Sequence, residues 1–280
     1  MLIKSKVLKR FLKRKSSLVG GIIIIIFILV AIFGPYLTSR NPLDIDLRNT
    51  YQKPNRDNWL GTDNLGRDTL TRLIYGARIT LIISFTSVFL GTLVGLILGV
   101  IAGYYGGLID NILMRTTDIL LAFPGLLLAI AIVAILGSGI MNTMLAIAFY
   151  SIPYIARIVR GVVISIKGLE YIQACEVIGC SNFITIINHI IPNSMSQVIV
   201  NTTLNLGTAI LTSSALSFLG LGVQPPHPEW GAMLSTARDV MRTTPIAALI
   251  PGVAITLVVL SFSLVGDGLR DALDPRLKNN

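Results

Sequence analysis

The sequence predicts an all-α fold, a polytopic membrane bundle of about six transmembrane helices. Three observations carry that expectation. First, 53% of the 280 residues are hydrophobic and 13% are charged, against about 25% charged residues in a soluble domain. So little polar surface cannot cover a globule in water, and the mean hydropathy of +0.75 agrees. Second, six segments approach the roughly 20 apolar residues that a helix needs to cross the hydrocarbon core. Third, Lys4, Lys6, Lys9, Arg10, Lys13, Arg14 and Lys15 precede the first apolar run, whereas the first acidic residue is Asp44. A basic cluster beside a span reads as a cytoplasmic anchor on the bilayer rather than as a nucleic-acid site.

The expected spans are Leu18–Leu37, Ile79–Gly103, Asp118–Leu136, Met141–Ile158, Ser196–Leu219 and Pro245–Val265. The first ends in Gly34-Pro35-Tyr36 with no small-x-small cleavage site, so it reads as an uncleaved span rather than a signal peptide. The chain then divides into a basic N-terminus (1–17), a first span (18–38), an external loop (39–78), a five-span core (79–268) and a tail (269–280). An even number of spans returns the C-terminus, with Arg270, Arg276 and Lys278, to the cytoplasm. The loop between the fourth and fifth spans, about 161–195, is cytoplasmic too and is flanked by Arg157, Arg160 and Lys167. One feature opposes this topology. The external loop holds Arg40, Arg48, Lys53, Arg56, Arg67, Arg72 and Arg78, more basic residues than the positive-inside rule favours.

Two spans have informative interiors. In the second, Ser87, Gly91, Gly95, Gly99 and Gly103 recur every four residues. They form one smooth stripe against which a neighbouring backbone can approach closely. The third contains Phe123-Pro124-Gly125. Proline removes an amide donor and predicts a kink, which either lines a pathway or merely shapes the bundle.

Apart from Arg157 in the last turn of the fourth, the expected spans contain no Asp, Glu, Lys, Arg or His between their ends. Ion-coupled transporters place ionisable groups at membrane depth, and an intramembrane protease or metalloenzyme needs a Ser/His pair or a ligand cluster there. Neither is present. None of the eight lysines follows a glycine, so the Gly-Lys-Ser/Thr core of a phosphate loop is missing. Cys175 and Cys180 match neither a zinc spacing nor a redox pair. No cofactor is expected on this chain. Energy for uphill movement must come from a partner.

The fourth-to-fifth loop is where a partner can push. Glu170 to Ile178 reads as a short helix with Tyr171, Ala174, Cys175 and Ile178 on one apolar face and Glu170, Gln173 and Glu176 beside it. Gly179 suits a left-handed helix end. Ser181 can cap a second helix, which Pro192 is expected to stop. Such a loop either docks into a groove on a soluble protein or lies on the headgroups.

Gln173-Ala174-Cys175, Gly179 and His189-Ile190-Ile191-Pro192 resemble the EAA motif of ABC importer permeases. Gln replaces Glu, Cys the second Ala, His the Ile and Ile the Leu. Residues 60–68, 217–231 and 266–276 resemble the dipeptide/oligopeptide/nickel branch, and in particular its second, "C"-type permease subunit. The resemblance covers nearly the whole chain from about Asn41. It implies a bundle that shares a translocation path with a second homologous permease. It also implies two ABC ATPase subunits that use ATP and magnesium, an extracytoplasmic substrate-binding protein, and a coupling helix at about Glu170–Ser181. Peptides, glutathione and nickel chelates all remain open as substrates. A membrane scaffold that only anchors partners is the alternative of a different class.

Overall fold

A computed structural model describes residues 2–273. Arg276 and Lys278 of the expected tail lie outside the described residues, as do the side chains of Lys4 and Lys6. The described chain is helical: α1 (Leu2–Lys13), α2 (Lys15–Leu37), α3 (Thr69–Tyr105), α4 (Gly107–Leu121), α5 (Gly125–Leu136), α6 (Ile140–Lys167), α7 (Glu170–Val177), α8 (Asn182–Thr185), α9 (Ile191–Phe218), α10 (Trp230–Ala237) and α11 (Ile246–Leu273). Among the described residues, five helices are long and apolar enough to span a membrane, and six if the bent pair α4–α5 counts as one.

The α3–α6 pair forms the centre, with α9 against both and α11 packed on α9 and α2. The glycine stripe makes that centre close-packed. A Cβ on Gly95 would lie 2.8 Å from Ile155 Cβ and 3.0 Å from the Ile152 carbonyl oxygen. On Gly99 it would meet the Ala156 oxygen at 2.6 Å, and on Gly103 the Arg160 oxygen at 2.9 Å. Gly91 sits against Ser151 and Ala148. Successive glycines thus meet successive turns of α6, backbone to backbone. Ser87 is fully buried and returns its hydroxyl to the Ile83 oxygen at 2.7 Å.

Three expectations need correction. The third span is not one kinked helix, because α4 and α5 meet at 89°. Pro124 leaves the helical region at ψ 127°, and α5, with 12 residues, reaches only about 18 Å of the roughly 30 Å core. Pro192 does not stop a helix. Residues Ile186–Ile190 form a π turn, and Pro192 sits in the first turn of α9, where its missing amide donor is tolerated. The wider turn re-routes the hydrogen bonds, so Ile191 N donates to the Ile186 oxygen and the helix runs from Asn182 to Phe218. Finally, α3 starts at Thr69, where the Asp68 carboxylate accepts from Thr71 N at 2.8 Å. Arg72 and Arg78, expected in the external loop, therefore stand on α3.

The excess of arginines in that loop also has a structural account. Arg67 and Arg72 are each 4% exposed, and both reach Asp63 Oδ2, at 2.7 and 3.2 Å. Arg72 also donates to the Pro42 oxygen at 3.0 Å. Both cations therefore hold the fold of this segment.

Candidate functional site

The loop between α6 and α9 is built to hold a short helix away from the bundle. Helix α6 ends at Lys167, whose Nζ donates to the Tyr104 oxygen at 2.8 Å. The Leu169 oxygen accepts from Ile172 N at 3.0 Å and Gln173 N at 3.2 Å, which starts α7. Glu170 lies in the first turn, where a negative charge favours the helix dipole.

Ile172 fastens α7. It is fully buried, in one cluster with Val163, Ile166, Ile190 and Val198. The face read from the sequence points elsewhere: Tyr171, Ala174 and Ile178 are exposed and Cys175 is half-buried. Glu170, Gln173 and Glu176 are exposed beside them. Ile178 is 80% exposed, and its neighbour Val177, outside the expected stripe, 88%. A helix pinned by one isoleucine and bare on its apolar side presents a surface to something other than its own bundle.

The exit from α7 is defined by hydrogen bonds. Gly179 has φ +85°. Its amide donates to the Glu176 oxygen at 3.1 Å, and the Cys180 amide to the Cys175 oxygen at 2.9 Å. This pair of bonds around a left-handed residue is a Schellman motif. A residue with a Cβ resists that conformation, although nothing lies within 4 Å of where the Cβ would be. Ser181 Oγ then accepts from Ile184 N at 3.4 Å and caps α8. Asn182 Oδ1 accepts from Tyr104 Oη at 3.0 Å. Both arms of the loop therefore converge on Tyr104 at the end of α3, beside Gly103 and the glycine stripe. Tyr171 lies edge-on to His189, with ring centres 6.2 Å apart, and Pro192 begins the return helix.

Sequence reasoning missed Ile172 as the inward contact. The signal was present, since Leu169 and Ile172 stand three apart on a second, narrower apolar stripe. It also missed Phe183, 73% exposed on α8, and the 3.0 Å link between Tyr104 and Asn182, which joins residues 78 apart.

Residues 95–279 match the family described as binding-protein-dependent transport system inner membrane component, and residues 5–54 match the N-terminal TM domain of oligopeptide transport permease C. The chain is 49% identical over 271 residues to the dipeptide transport system permease protein DppC of Alkalihalophilus pseudofirmus, covering 97% of this chain and 89% of that one. It is 46% identical over 274 residues to the glutathione transport system permease protein GsiD of Pectobacterium atrosepticum, covering 97% and 90%. The fold is shared with a chain of the inward-facing MetNI methionine ABC transporter, with TM-score 0.60, 20% identity and coverage of 73% of this chain and 97% of that one. The matched relatives are transport permeases rather than enzymes. The chain belongs to the binding-protein-dependent transport system inner membrane component family and is a multi-pass inner-membrane permease subunit of an ABC importer.

Proposed function

We propose that this subunit forms half of a passage for di- or oligopeptides or related small solutes such as glutathione, and that α7 couples it to the ATPases. One observation carries the coupling reading: α7 is fixed to the bundle by Ile172 and Tyr104-centred contacts yet leaves its apolar face bare. Force applied to that face reaches α3 and α6, the close-packed pair at the centre. Being an importer permease implies ATPase and binding-protein partners. The finer assignment is a second homologous permease, two ATPase subunits that bind ATP and magnesium, and no cofactor on this chain. Both termini are cytoplasmic, following the basic N-terminus.

The relatives named for dipeptide and glutathione transport support the substrate class. The test is uptake of labelled dialanine and of glutathione by proteoliposomes that hold this subunit assembled with a partner permease and ATPase subunits. Uptake must require ATP on the ATPase side and the binding protein on the other. Uptake of neither solute refutes the substrate class.

A further inference from the structure

Helices α2 and α3 leave an apolar groove of about 430 Å³ between them, within the roughly 300–1,000 Å³ of small-molecule sites. Ile28, Ala31 and Ile32 of α2 and Leu81, Ile82 and Phe85 of α3 line it. The groove opens away from the bundle, since Ile32, Ile82 and Phe85 are all exposed. Both helices are long and apolar enough to span a membrane, so this open side faces the acyl chains of the bilayer.

Arg78 lines the same groove, and packing fixes its depth. Ile74, one turn earlier on α3, sits so close to Gly34 that a Cβ there would meet Ile74 Cγ2 at 2.5 Å. Helix α2 runs on past Gly34 to Leu37. Arg78 therefore stands about 6 Å inside that contact, at 1.5 Å per residue, beside the apolar residues of both helices and not beyond them.

Three other arginines at this end of the bundle show how a cation is satisfied here. Arg67 and Arg72 share Asp63. Arg40 donates to Asn58 Oδ1 at 2.6 Å and lies 3.9 Å from Asp68 Oδ1. Arg78 is exposed and is joined by neither hydrogen bond nor ion pair to any described residue. An unpaired guanidinium on an apolar, bilayer-facing wall is costly. Its apolar stem can lie along the helix and lift the head toward the membrane surface. The phosphates of the headgroups lie there, and a guanidinium matches a phosphate with two parallel hydrogen bonds.

We infer that the groove between α2 and α3 binds one glycerophospholipid, with its phosphate on Arg78 and an acyl chain along Ile32, Ile82 and Phe85. The site has the two halves of a lipid in the right order, a cation nearer the membrane surface and an apolar channel running inward from it. A free phosphate would use the cation and leave the channel empty. Bound in both, the lipid bridges the first span to α3, the helix at the centre of the bundle. With the cytoplasmic N-terminus proposed above, it belongs to the outer leaflet.

The probe is phosphatidylglycerol with a photoactivatable diazirine in one acyl chain. It is added in trace amount to phosphatidylethanolamine vesicles that hold this subunit assembled with a partner permease and ATPase subunits. After illumination, mass spectrometry should find the probe on peptides covering residues 28–32 and 81–86. Arg78→Gln should lower that yield about tenfold, the equivalent of one charge-assisted hydrogen bond, relative to the yield at exposed Leu249 and Val253 of α11. Arg78→Lys keeps the charge and should keep more of the yield than Arg78→Gln. Ile82→Trp fills the groove from an exposed position and should lower the yield on residues 28–32 with Arg78 still present. In detergent free of phospholipid, Arg78→Gln should melt with the parent, because Arg78 makes no bond within the described chain. An equal yield in Arg78→Gln and the parent means ordinary boundary lipid and overturns the inference. So does an unlabelled groove in the parent, which means that another chain covers it. Loss of stability by Arg78→Gln in lipid-free detergent would place Arg78 in the fold instead, and overturns it too.

Discussion

Replacing Gly99 tests the packing on which force transmission depends. In the native structure a Cβ at this position would lie 2.6 Å from the Ala156 carbonyl oxygen, 2.7 Å from Val159 Cβ and 2.9 Å from Val159 Cγ1. Ordinary contacts begin near 3.4 Å, so α3 and α6 would have to part by the better part of an ångström. Neither neighbour can yield by rotating, because one is backbone and the other a Cβ. Overpacking costs typically about 1–3 kcal/mol, and Ala regains about 1 kcal/mol in helix propensity over Gly. Gly99→Ala should therefore be destabilised by up to about 2 kcal/mol, the overpacking cost less the propensity gain. Gly99→Leu adds three more heavy atoms to the same gap and should abolish assembly, as should Gly95→Leu. Gly252 on α11 has nothing within 4 Å of its would-be Cβ, so Gly252→Ala is the control and should be neutral or stabilising. The assay is the fraction of complex surviving a heat ramp by size exclusion, with yield for the leucine variants. If Gly99→Ala is as stable as Gly252→Ala, the stripe does not carry the α3–α6 contact.

Two other outcomes follow from the same structure. In a variant lacking Cys175 and Cys180, Asn55→Cys should react with an impermeant thiol reagent in intact cells and Lys9→Cys should not; labelling of position 9 from outside refutes the orientation. Glu229 is fully buried and caps α10 by accepting from Ala232 N at 2.8 Å, and burial raises its carboxyl above the ordinary carboxylate range. The folded state therefore holds the proton more tightly than the unfolded chain, whose Glu titrates near about 4.3. That contribution is complete below the unfolded value and is lost as pH rises through the raised folded value. Glu229→Gln should flatten this part of the melting-temperature profile above about pH 4, and an unchanged profile would remove Glu229 from the account.

The parts legible in sequence were those with a short period. A repeat of four glycines is visible without coordinates because a helix turns every 3.6 residues, and its partner α6 repeats at the same interval. Gly179 and Ser181 were legible because left-handed ends and caps are local chemistry. Geometry set by distant contacts was not. Phe123-Pro124-Gly125 announces a break but not its angle, which depends on how α5 seats on Tyr150. Pro192 was misread because a π turn upstream absorbs it, and a lone proline carries no sign of that. Helix α10 escaped because eight residues between two spans give no periodic signal. Its place is fixed by Trp230, fully buried with Nε1 donating to the Leu73 oxygen at 3.0 Å, and Leu73 is 157 residues away.

Helix α7 is proposed to transmit force as well as bind a partner, and two substitutions, one on it and one at its exit, separate those roles. Ala174→Asp puts an unpaired charge on the exposed face of α7, where docking would bury it. Gly179→Val leaves that face intact but opposes φ +85°, at something like the 1–2 kcal/mol of a left-handed residue. The measurement is substrate-stimulated ATP hydrolysis and uptake by the reconstituted complex, together with recovery of the ATPase subunits on the purified permease. Both variants should lose uptake; Ala174→Asp should also lose the ATPase, whereas Gly179→Val should retain much of it. Transport at the parent rate by both variants would contradict the account, since the helix would then be neither the docking site nor the lever.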